Sequence, residues 1–355
     1  MDNIFEIIDP VDRKSFDIKS DSKHLLVNKV DFSKHILPET KIAILGTGDA
    51  STSVRQSLYG LYCGYEISIS DLGNLPLSGK DKLGEILKTL SDSNILTILI
   101  GSSADSLPVC IDSLSGGKNI SASMVVPAIV RSDFTDSLIN NRFENLFNMN
   151  FMAYQTYLSD PEILSKLSSN YFETLRLGKF REDSGIYEPA LRDSHIFGMD
   201  MASVRKADIA DSSYSGPNGL YAEEACLIAR YAGISDNLKI ANIFCMNETE
   251  KNGRTNALIA QIVWHIIDGF ANRTHEITLN NVNGIKKFLV NLEQPAVRLV
   301  FYHSDVTNRW WMEIPEKNGK KTLIIACTED DYKIARKHEV PLRWIWYQQK
   351  LANKN

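Results

Sequence analysis

Short apolar runs alternate with segments of helical periodicity along the first half of the chain. Four of these runs have the length and composition of buried strands, at 41–46, 66–71, 95–101 and 122–130. Residues 54–62 and 83–90 repeat apolar side chains at helical spacing, which predicts amphipathic helices between the strands. This alternation is typical of a parallel α/β sheet. Pro127 lies inside the fourth run and predicts a local distortion there.

The second half continues this alternation to about residue 271 and then changes. Mixed αβ units are predicted at 145–158 and 161–176, strands at 193–200 and 239–246, and helices at 221–232 and 255–271. The last part alternates like a strand meander, at 296–302, 309–314 and 321–325. We therefore predict an N-terminal segment (1–40), an α/β domain (41–290) and an aromatic-rich C-terminal extension packed on it (291–355).

The composition is that of a folded chain and excludes several classes of protein. Of 355 residues, 43% are hydrophobic and 23% charged, with a net charge of −5. These values exclude a disordered chain and give no basic face for nucleic acid. No apolar run approaches the roughly 18 residues that a membrane-spanning helix needs. The five cysteines are far apart and form no CxxC pair, which favours reduced thiols and a cytoplasmic location.

Common catalytic and cofactor motifs are absent or incomplete. Residues 46–48 read Gly-Thr-Gly after a strand, but Ser51 stands where a dinucleotide loop has glycine or alanine. No Walker loop, G-x-S-x-G elbow or H-E-x-x-H helix is present. The seven histidines show no metal-ligand spacing. We interpret His195 and His265 as packing residues rather than zinc ligands.

A longer set of motifs occurs in a fixed order between about residues 40 and 272. Residues 198–206 and 215–232 contain an aspartate-bearing strand end, a proline-bearing loop and a G-L-x-x-x-E helix start. This part resembles the S-F-D-x-D segment of the arginase, agmatinase and formiminoglutamase (ureohydrolase) family. Other segments resemble that family's early IR…LY and D-x-G pair, its G-G-x-H strand and its E-x-N-P strand and helix, at 53–59, 69–75, 98–105 and 243–247 with the helix from 255.

The resemblance implies a three-layer αβα fold with a mostly parallel central sheet, to which the pattern above adds a C-terminal β-rich extension. In this family two manganese ions at the carboxyl ends of the strands bridge a hydroxide that attacks a guanidinium or formimino carbon. The chemistry needs about six carboxylate and imidazole ligands. The aromatic tail is similar to that of a bacterial formiminoglutamase-like branch. Ureohydrolases commonly form trimers or hexamers, so the resemblance also implies an oligomer.

The positions that match the family's metal ligands keep few of the donors. Ala104 stands at the first histidine, and Ala202 replaces the aspartate that should follow Asp200. Because alanine has no donor atom, we predict a degenerate site without a bound metal. Asp200 is the one clear surviving ligand, and Asp133 is a conceivable substitute. The former metal-site positions are Ala104, Arg131, Asp133, Thr135, Asp200, Ala202 and Cys245.

Three functions fit these losses, in decreasing order of weight. The first is a pseudoenzyme of ureohydrolase fold that acts by binding a protein partner or by assembling into a homo-oligomer. The second is a hydrolase of amidine or guanidino C–N bonds with a rebuilt Mn or Mg site, its ligands drawn from Asp105, Asp133, Asp136, Asp200 and Cys245. The third is a carboxylate-binding protein, with a pocket formed by Asp105, Arg131, Asp136, Asp200, Asn218 and Glu224.

Arg131 has two interpretations at this point. In one, its guanidinium fills the place of the metal and pairs with Asp200, Asp133 or Asp105. In the other, Arg131 lies on a solvated loop and Asp200 only caps the turn that follows it.

The extension contains four of the five tryptophans: Trp310, Trp311, Trp344 and Trp346. Clustered tryptophan is enriched in binding hot spots, so these side chains are a candidate protein interface. The alternative, which we favour, is that they seal the extension against the α/β domain.

Overall fold

The main sheet contains nine strands within the residues that the structure describes. The computed structural model describes residues 4–18, 22–47, 50–104, 106–114, 119–209, 216–244, 253–276, 284–293, 296–315 and 322–353. The strands are β1 (Val30–Asp31), β2 (Ile42–Thr47), β3 (Ile69–Leu75), β4 (Leu96–Ser102), β5 (Ile120–Val125), β6 (Leu146–Tyr154), β7 (Glu173–Arg176), β8 (Ile196–Asp200) and β9 (Ile240–Phe244). Their spatial order is β1-β3-β2-β4-β9-β8-β5-β6-β7, and all neighbours run parallel.

Burial on both faces explains why the strands of this sheet read as continuous apolar runs. All residues of β5, β6 and β9 are buried. The predicted strands are confirmed, although β3 begins three residues later than expected. β5 ends at Val125, so Pro127 lies beyond it and its missing N–H interrupts no ladder. The expected distortion inside the strand is therefore absent, and the apolar run continues as a loop in which Ile129 is buried.

Helices cover both faces of the main sheet. One hydrophobic cluster includes side chains of α1, α8 and α9, and a second includes those of α2, α3 and α5. No helix in the described ranges is long and apolar enough to cross a membrane. The helices are α1 (Ala50–Tyr59), α2 (Leu83–Asp92), α3 (Ser106–Ser113), α4 (Asp133–Ile139), α5 (Pro161–Ser169), α6 (Leu177–Glu182), α7 (Glu188–Arg192), α8 (Ala222–Ile234), α9 (Arg254–Ala271), α10 (Glu329–Arg336) and α11 (Leu342–Asn353).

A buried ion pair joins α1 to β3. Arg55 and Asp71 have fully buried side chains. The guanidinium donates to both carboxylate oxygens, through Nε at 2.6 Å and Nη2 at 2.9 Å. Asp71 also accepts from the Tyr59 hydroxyl and from the Gly73 N–H at 2.9 Å. The two segments that resemble the IR…LY and D-x-G pair thus meet in one polar cluster within the core.

A second, antiparallel sheet follows the main one. Its strands are β10 (Ile285–Glu293), β11 (Ala296–Ser304), β12 (Trp310–Pro315) and β13 (Thr322–Cys327), arranged in chain order. The three strands of the predicted meander are confirmed, whereas β10 was not predicted. The sheet begins at Ile285, inside the segment assigned above to the α/β domain.

The tryptophans of the extension are mostly buried at its contact with the main domain. Trp310 and Trp311 are 8% and 6% exposed, and the Arg192 guanidinium lies 4.4 Å from the Trp311 ring centroid. Trp344 is half-buried and donates its Nε1–H to the Glu313 carbonyl at 3.0 Å. Trp346 on α11 is half-buried. The sealing role is confirmed for Trp310 and Trp311, and their burial corrects the alternative of an exposed aromatic interface formed by all four.

Asp193 provides a pH-dependent contact at the same junction. Its Oδ2 accepts from the Ala326 N–H at 2.9 Å and lies 3.7 Å from Arg343 Nη2. Burial raises its pKa from the ordinary 3.8 to about 6, although Arg343 and Arg192 oppose the shift and Glu188 adds to it. The folded state therefore holds a proton that the unfolded chain releases at lower pH. The unfolding free energy should fall as pH rises from about 4 to 6, by at most about 3 kcal/mol.

Urea denaturation of the wild type and of Asp193→Asn at pH 4.5 and 7.5 measures this contribution. Asparagine cannot ionise, so its stability relative to the wild type should increase from the lower pH to the higher. An equal difference between the two proteins at both pH values would contradict the assignment to Asp193.

Candidate functional site

The carboxyl ends of β4, β9, β8 and β5 lie side by side in the middle of the main sheet. Ser102 of β4 and Asp200 of β8 both pair with Phe244 of β9, one from each side. Val125 of β5 pairs with Met199 of β8. Because parallel strands end at the same edge, the loops after these four strands share one surface. Open α/β sheets bind their ligands at such an edge, which makes it the candidate site.

Asp200 ends β8 at this edge and caps the turn that follows. Its Oδ1 accepts from the Ala202 N–H at 2.8 Å, at the start of a 3₁₀ turn over Met201–Ser203. Ala202 is 5% exposed and presents only a methyl group. The position of the second aspartate in the resembled motif therefore holds an apolar side chain.

Ala104 lies on the turn after β4 and is exposed. Its methyl group offers no donor atom at the position matched to the family's first histidine. Asp105 and Cys245, which were expected beside it, lie outside the described residues.

The position after β5 that is level with Asp200 holds Val126, because Val125 pairs with Met199. Pro127 and Ala128 follow it, so the next two side chains also carry no donor atom. The segment matched above to the D-A-H-x-D motif begins only at Arg131, six residues after the end of the strand. Its members Asp133 and Thr135 belong to the first turn of α4, where Thr135 is buried and hydrogen-bonds with Ser132. The metal-site positions assigned to them are thus displaced from the strand end.

Arg131 forms an exposed ion-pair network instead of a buried one. Its guanidinium is 54% exposed and lies 3.7 Å from Asp136 and 3.5 Å from Glu162. Among the described residues, no ion pair joins it to Asp133 or Asp200. The interpretation in which Arg131 is solvated and Asp200 caps a turn agrees with this geometry, and the compensated polar core does not.

The other two residues of the expected pocket have local structural contacts. The Asn218 carbonyl accepts from Gln155 Nε2 at 3.2 Å, and its Nδ2 donates to the Tyr157 hydroxyl at 3.3 Å. Glu224 accepts from the Tyr221 N–H at 2.8 Å at the start of α8 and pairs with Arg181 at 3.4 Å. Within the part of the chain that is described, no hydrogen bond links either residue to Asp200 or Arg131.

Sequence reasoning missed Gln155 and Tyr157, which follow β6 at the same edge. The Tyr157 hydroxyl donates to the Gln155 side-chain oxygen, and Tyr157 is 70% exposed. Val130 and Leu158 are also exposed, and their loops are joined because the Asp160 N–H donates to the Ile129 carbonyl at 2.8 Å. The signal was an apolar stretch that continues past the predicted strand within 145–158.

The described residues do not fit a two-manganese centre. No group of three or more histidine, cysteine, aspartate or glutamate side chains among them is arranged to hold a metal ion. Val126 and Ala202 flank Asp200 where a hard cation needs oxygen or nitrogen ligands.

Comparison with known proteins identifies the architecture. No family model and no curated protein matches the sequence. The structure is similar to that of Trypanosoma cruzi formiminoglutamase with Mn²⁺, with a TM-score of 0.60 and 16% identity over 68% of this chain and 96% of that chain. An arginase superfamily protein from the same organism matches with a TM-score of 0.58 and 16% identity, over 66% of this chain and 94% of that chain. The fold is arginase-like. The predicted three-layer αβα fold with a C-terminal β-rich extension is confirmed.

Two further solved structures share this arginase-like fold. The formimidoylglutamase of Bacillus subtilis matches with a TM-score of 0.56 and 13% identity, over 66% of this chain and 88% of that chain. The agmatine ureohydrolase of Thermoplasma volcanium matches with a TM-score of 0.54 and 16% identity, over 70% and 94%. Identities this low show a shared fold, and activity has to be argued from the site.

Proposed function

We propose that this chain is a ureohydrolase-fold pseudoenzyme that lacks the binuclear manganese site and acts by binding a protein partner or by assembly. The observation that carries the proposal is the set of side chains at the carboxyl edge. Val126 and Ala202 occupy strand-end positions on either side of Asp200, and Ala104 follows β4. A two-metal hydrolase needs carboxylates and imidazoles at such positions to bridge and activate a hydroxide.

The surviving carboxylate is a weak starting point for a rebuilt metal site. Asp200 uses one oxygen to cap the turn at Ala202. Asp136 lies 3.7 Å from the Arg131 guanidinium, whose positive charge opposes a nearby cation. Asp133 lies in the first turn of α4, beyond the loop that leaves β5. These contacts favour the pseudoenzyme over a hydrolase that uses Mn or Mg.

The described cysteines offer no replacement nucleophile or thiolate ligand. Cys63, Cys110, Cys226 and Cys327 are free and buried. Burial raises the pKa of Cys110 to about 12 and that of Cys226 to about 11. Both thiols therefore stay protonated at neutral pH, and only the thiolate attacks or binds metal. Free, separated thiols also support the cytoplasmic location that we propose.

Exposed apolar side chains at the carboxyl edge support a role in binding. Tyr157, Val130 and Leu158 are 70%, 50% and 45% exposed on two joined loops. Arg131 is already paired with two carboxylates, so it is a poor anchor for a carboxylate ligand. This arrangement favours a protein partner or a second copy of the chain over a small acid at this edge.

Metal analysis combined with activity assays tests the proposal. We expect the protein purified with added Mn²⁺ to retain substoichiometric metal after gel filtration. It should release no urea from arginine or agmatine and no formamide from formiminoglutamate above a protein-free blank. The formiminoglutamase of Trypanosoma cruzi, loaded in the same way, is the control. Two bound manganese ions with turnover would overturn the pseudoenzyme.

A further inference from the structure

A cavity of about 550 Å³ lies between the second sheet and the α/β domain. It is bounded by α7, the end of α8, the β11–β12 turn and the start of α10. Arg192 lies just before β8 and Asp200 at the carboxyl end of that strand, so the cavity and the candidate site are at opposite ends of β8. Inferences about the two are therefore independent.

Arg192 is a buried cation with an unused donor in this cavity. Its side chain is 7% exposed, and its Nη2 donates to the Trp310 carbonyl at 3.0 Å. Nε lies 3.0 Å from Glu188 Oε1. Nη1 is buried and has no hydrogen-bond partner among the described residues. Buried donors are nearly always paired in folded proteins, so an unpaired guanidinium nitrogen indicates a missing acceptor.

The inner part of the cavity carries an excess of positive charge. Arg309 also lines it, and its Nε lies 3.4 Å from the Glu188 oxygen that Arg192 contacts. One carboxylate is thus shared by two guanidinium groups. A guanidinium with a free N–H binds the planar oxygens of a carboxylate well.

The outer part of the cavity carries the opposite charge. Asp183, Glu329 and Asp330 line it and are exposed, the last two with 55% and 75% of their side chains accessible. Lys333 contacts both Glu329 and Asp330 at 3.1 Å, so one cation is shared by two carboxylates. Acids in the first turn of α10 also favour that helix, but a surplus of negative charge remains at the mouth.

We propose that this cavity binds a small zwitterion of the amino-acid class. The carboxylate accepts from Arg192 Nη1 at the buried end, and the ammonium group lies among the acidic side chains at the mouth. A cavity of this volume suits a ligand of that size. A simple anion would meet the acidic mouth, and a simple cation would meet the buried arginines, so each is disfavoured. This inference goes beyond the proposed function and does not rest on it.

A ligand panel on the full chain tests the proposal. Thermal-shift measurements with the twenty standard L-amino acids should identify at least one that raises Tm, and calorimetry should then give saturable binding. Alanine, propionate and ethylamine form a matched set, because the last two keep only one of its charged groups. We expect at least about tenfold weaker binding of these single-charge analogues than of the best amino acid. Inorganic phosphate serves as the anion control.

Variants at the two ends of the cavity assign the contacts. Arg192→Lys and Arg192→Gln should lower amino-acid affinity at least about tenfold, because each removes the guanidinium fork. Arg131→Gln, at an exposed arginine, should bind as the wild type does. The double variant Glu329→Gln/Asp330→Asn changes only exposed groups and keeps the test valid if Arg192 variants fail to fold. It should weaken amino-acid binding severalfold without weakening propionate.

Three results would overturn the zwitterion site. One is the absence of binding by any amino acid up to roughly 10 mM, a concentration well above the range of specific sites. Another is unchanged affinity in folded Arg192→Gln or in the double variant at the mouth. The third is propionate binding as tightly as the best amino acid. None of these outcomes depends on manganese content or hydrolase activity, so they are separable from failure of the pseudoenzyme proposal.

Discussion

Replacing Asp71 by asparagine should lower the free energy of unfolding by about 3–5 kcal/mol, because it leaves the buried Arg55 guanidinium without its counter-charge. Both side chains are fully buried, and the carboxylate accepts from Arg55 at 2.6 and 2.9 Å. Burial and the adjacent carboxylate raise the pKa of Tyr59 well above its ordinary value, so its hydroxyl stays a donor to Asp71. Asparagine keeps the shape of the side chain and removes the charge, and urea denaturation followed by circular dichroism measures the loss.

Glu162→Gln is the matched control for this charge removal. Glu162 pairs with Lys166 at 2.6 Å and with Arg131 at 3.5 Å, but its side chain is 63% exposed. Exposed ion pairs contribute roughly 0–1 kcal/mol, because water screens them. A loss in Asp71→Asn no larger than that in Glu162→Gln would contradict the structural role given to the buried pair.

Trp311→Ala should also cost about 3–5 kcal/mol, the usual range for truncation of a buried tryptophan. The ring is 6% exposed and lies against Arg192 of the α/β domain. Its removal opens a cavity where the second sheet contacts the main domain and exposes one face of a buried cation. Thermal and urea denaturation, with tryptophan fluorescence to follow the extension, measure the effect.

Trp346→Ala removes the same kind of side chain from a half-buried position on α11. We expect less than half the loss seen for Trp311→Ala, because the ring is already partly in contact with water. An unchanged stability in Trp311→Ala would show that the extension does not depend on this contact, and would return Trp311 to the candidate interface.

Strands of the main sheet were predictable because burial on both faces makes them apolar throughout. β10 escaped prediction because it packs one side only and carries Lys286, Lys287 and Asn291 on exposed positions. Its periodicity is also interrupted by two adjacent lysines. Without a partner strand in view, such a segment resembles a polar connection.

The losses at Ala104 and Ala202 could be located because each follows a strand whose end the sequence marks. The position of Arg131 could not, because the apolar run at 122–130 continues five residues beyond the last paired residue of β5. Ile129 is buried in a loop, and hydrophobicity reports burial rather than strand pairing. The tryptophan cluster raised the same difficulty, since composition does not distinguish a sealed contact from an exposed one.

β9 occupies the centre of the main sheet although it is the last of the nine strands in the chain. It pairs with β4 on one side and β8 on the other. Until it is synthesised, at residues 240–244 of 355, the sheet can exist only as two four-stranded pieces, each with an unpaired apolar edge. Such edges are sites of aggregation and of chaperone binding. Folding of this chain therefore depends on a late, long-range insertion, which is slow compared with local pairing.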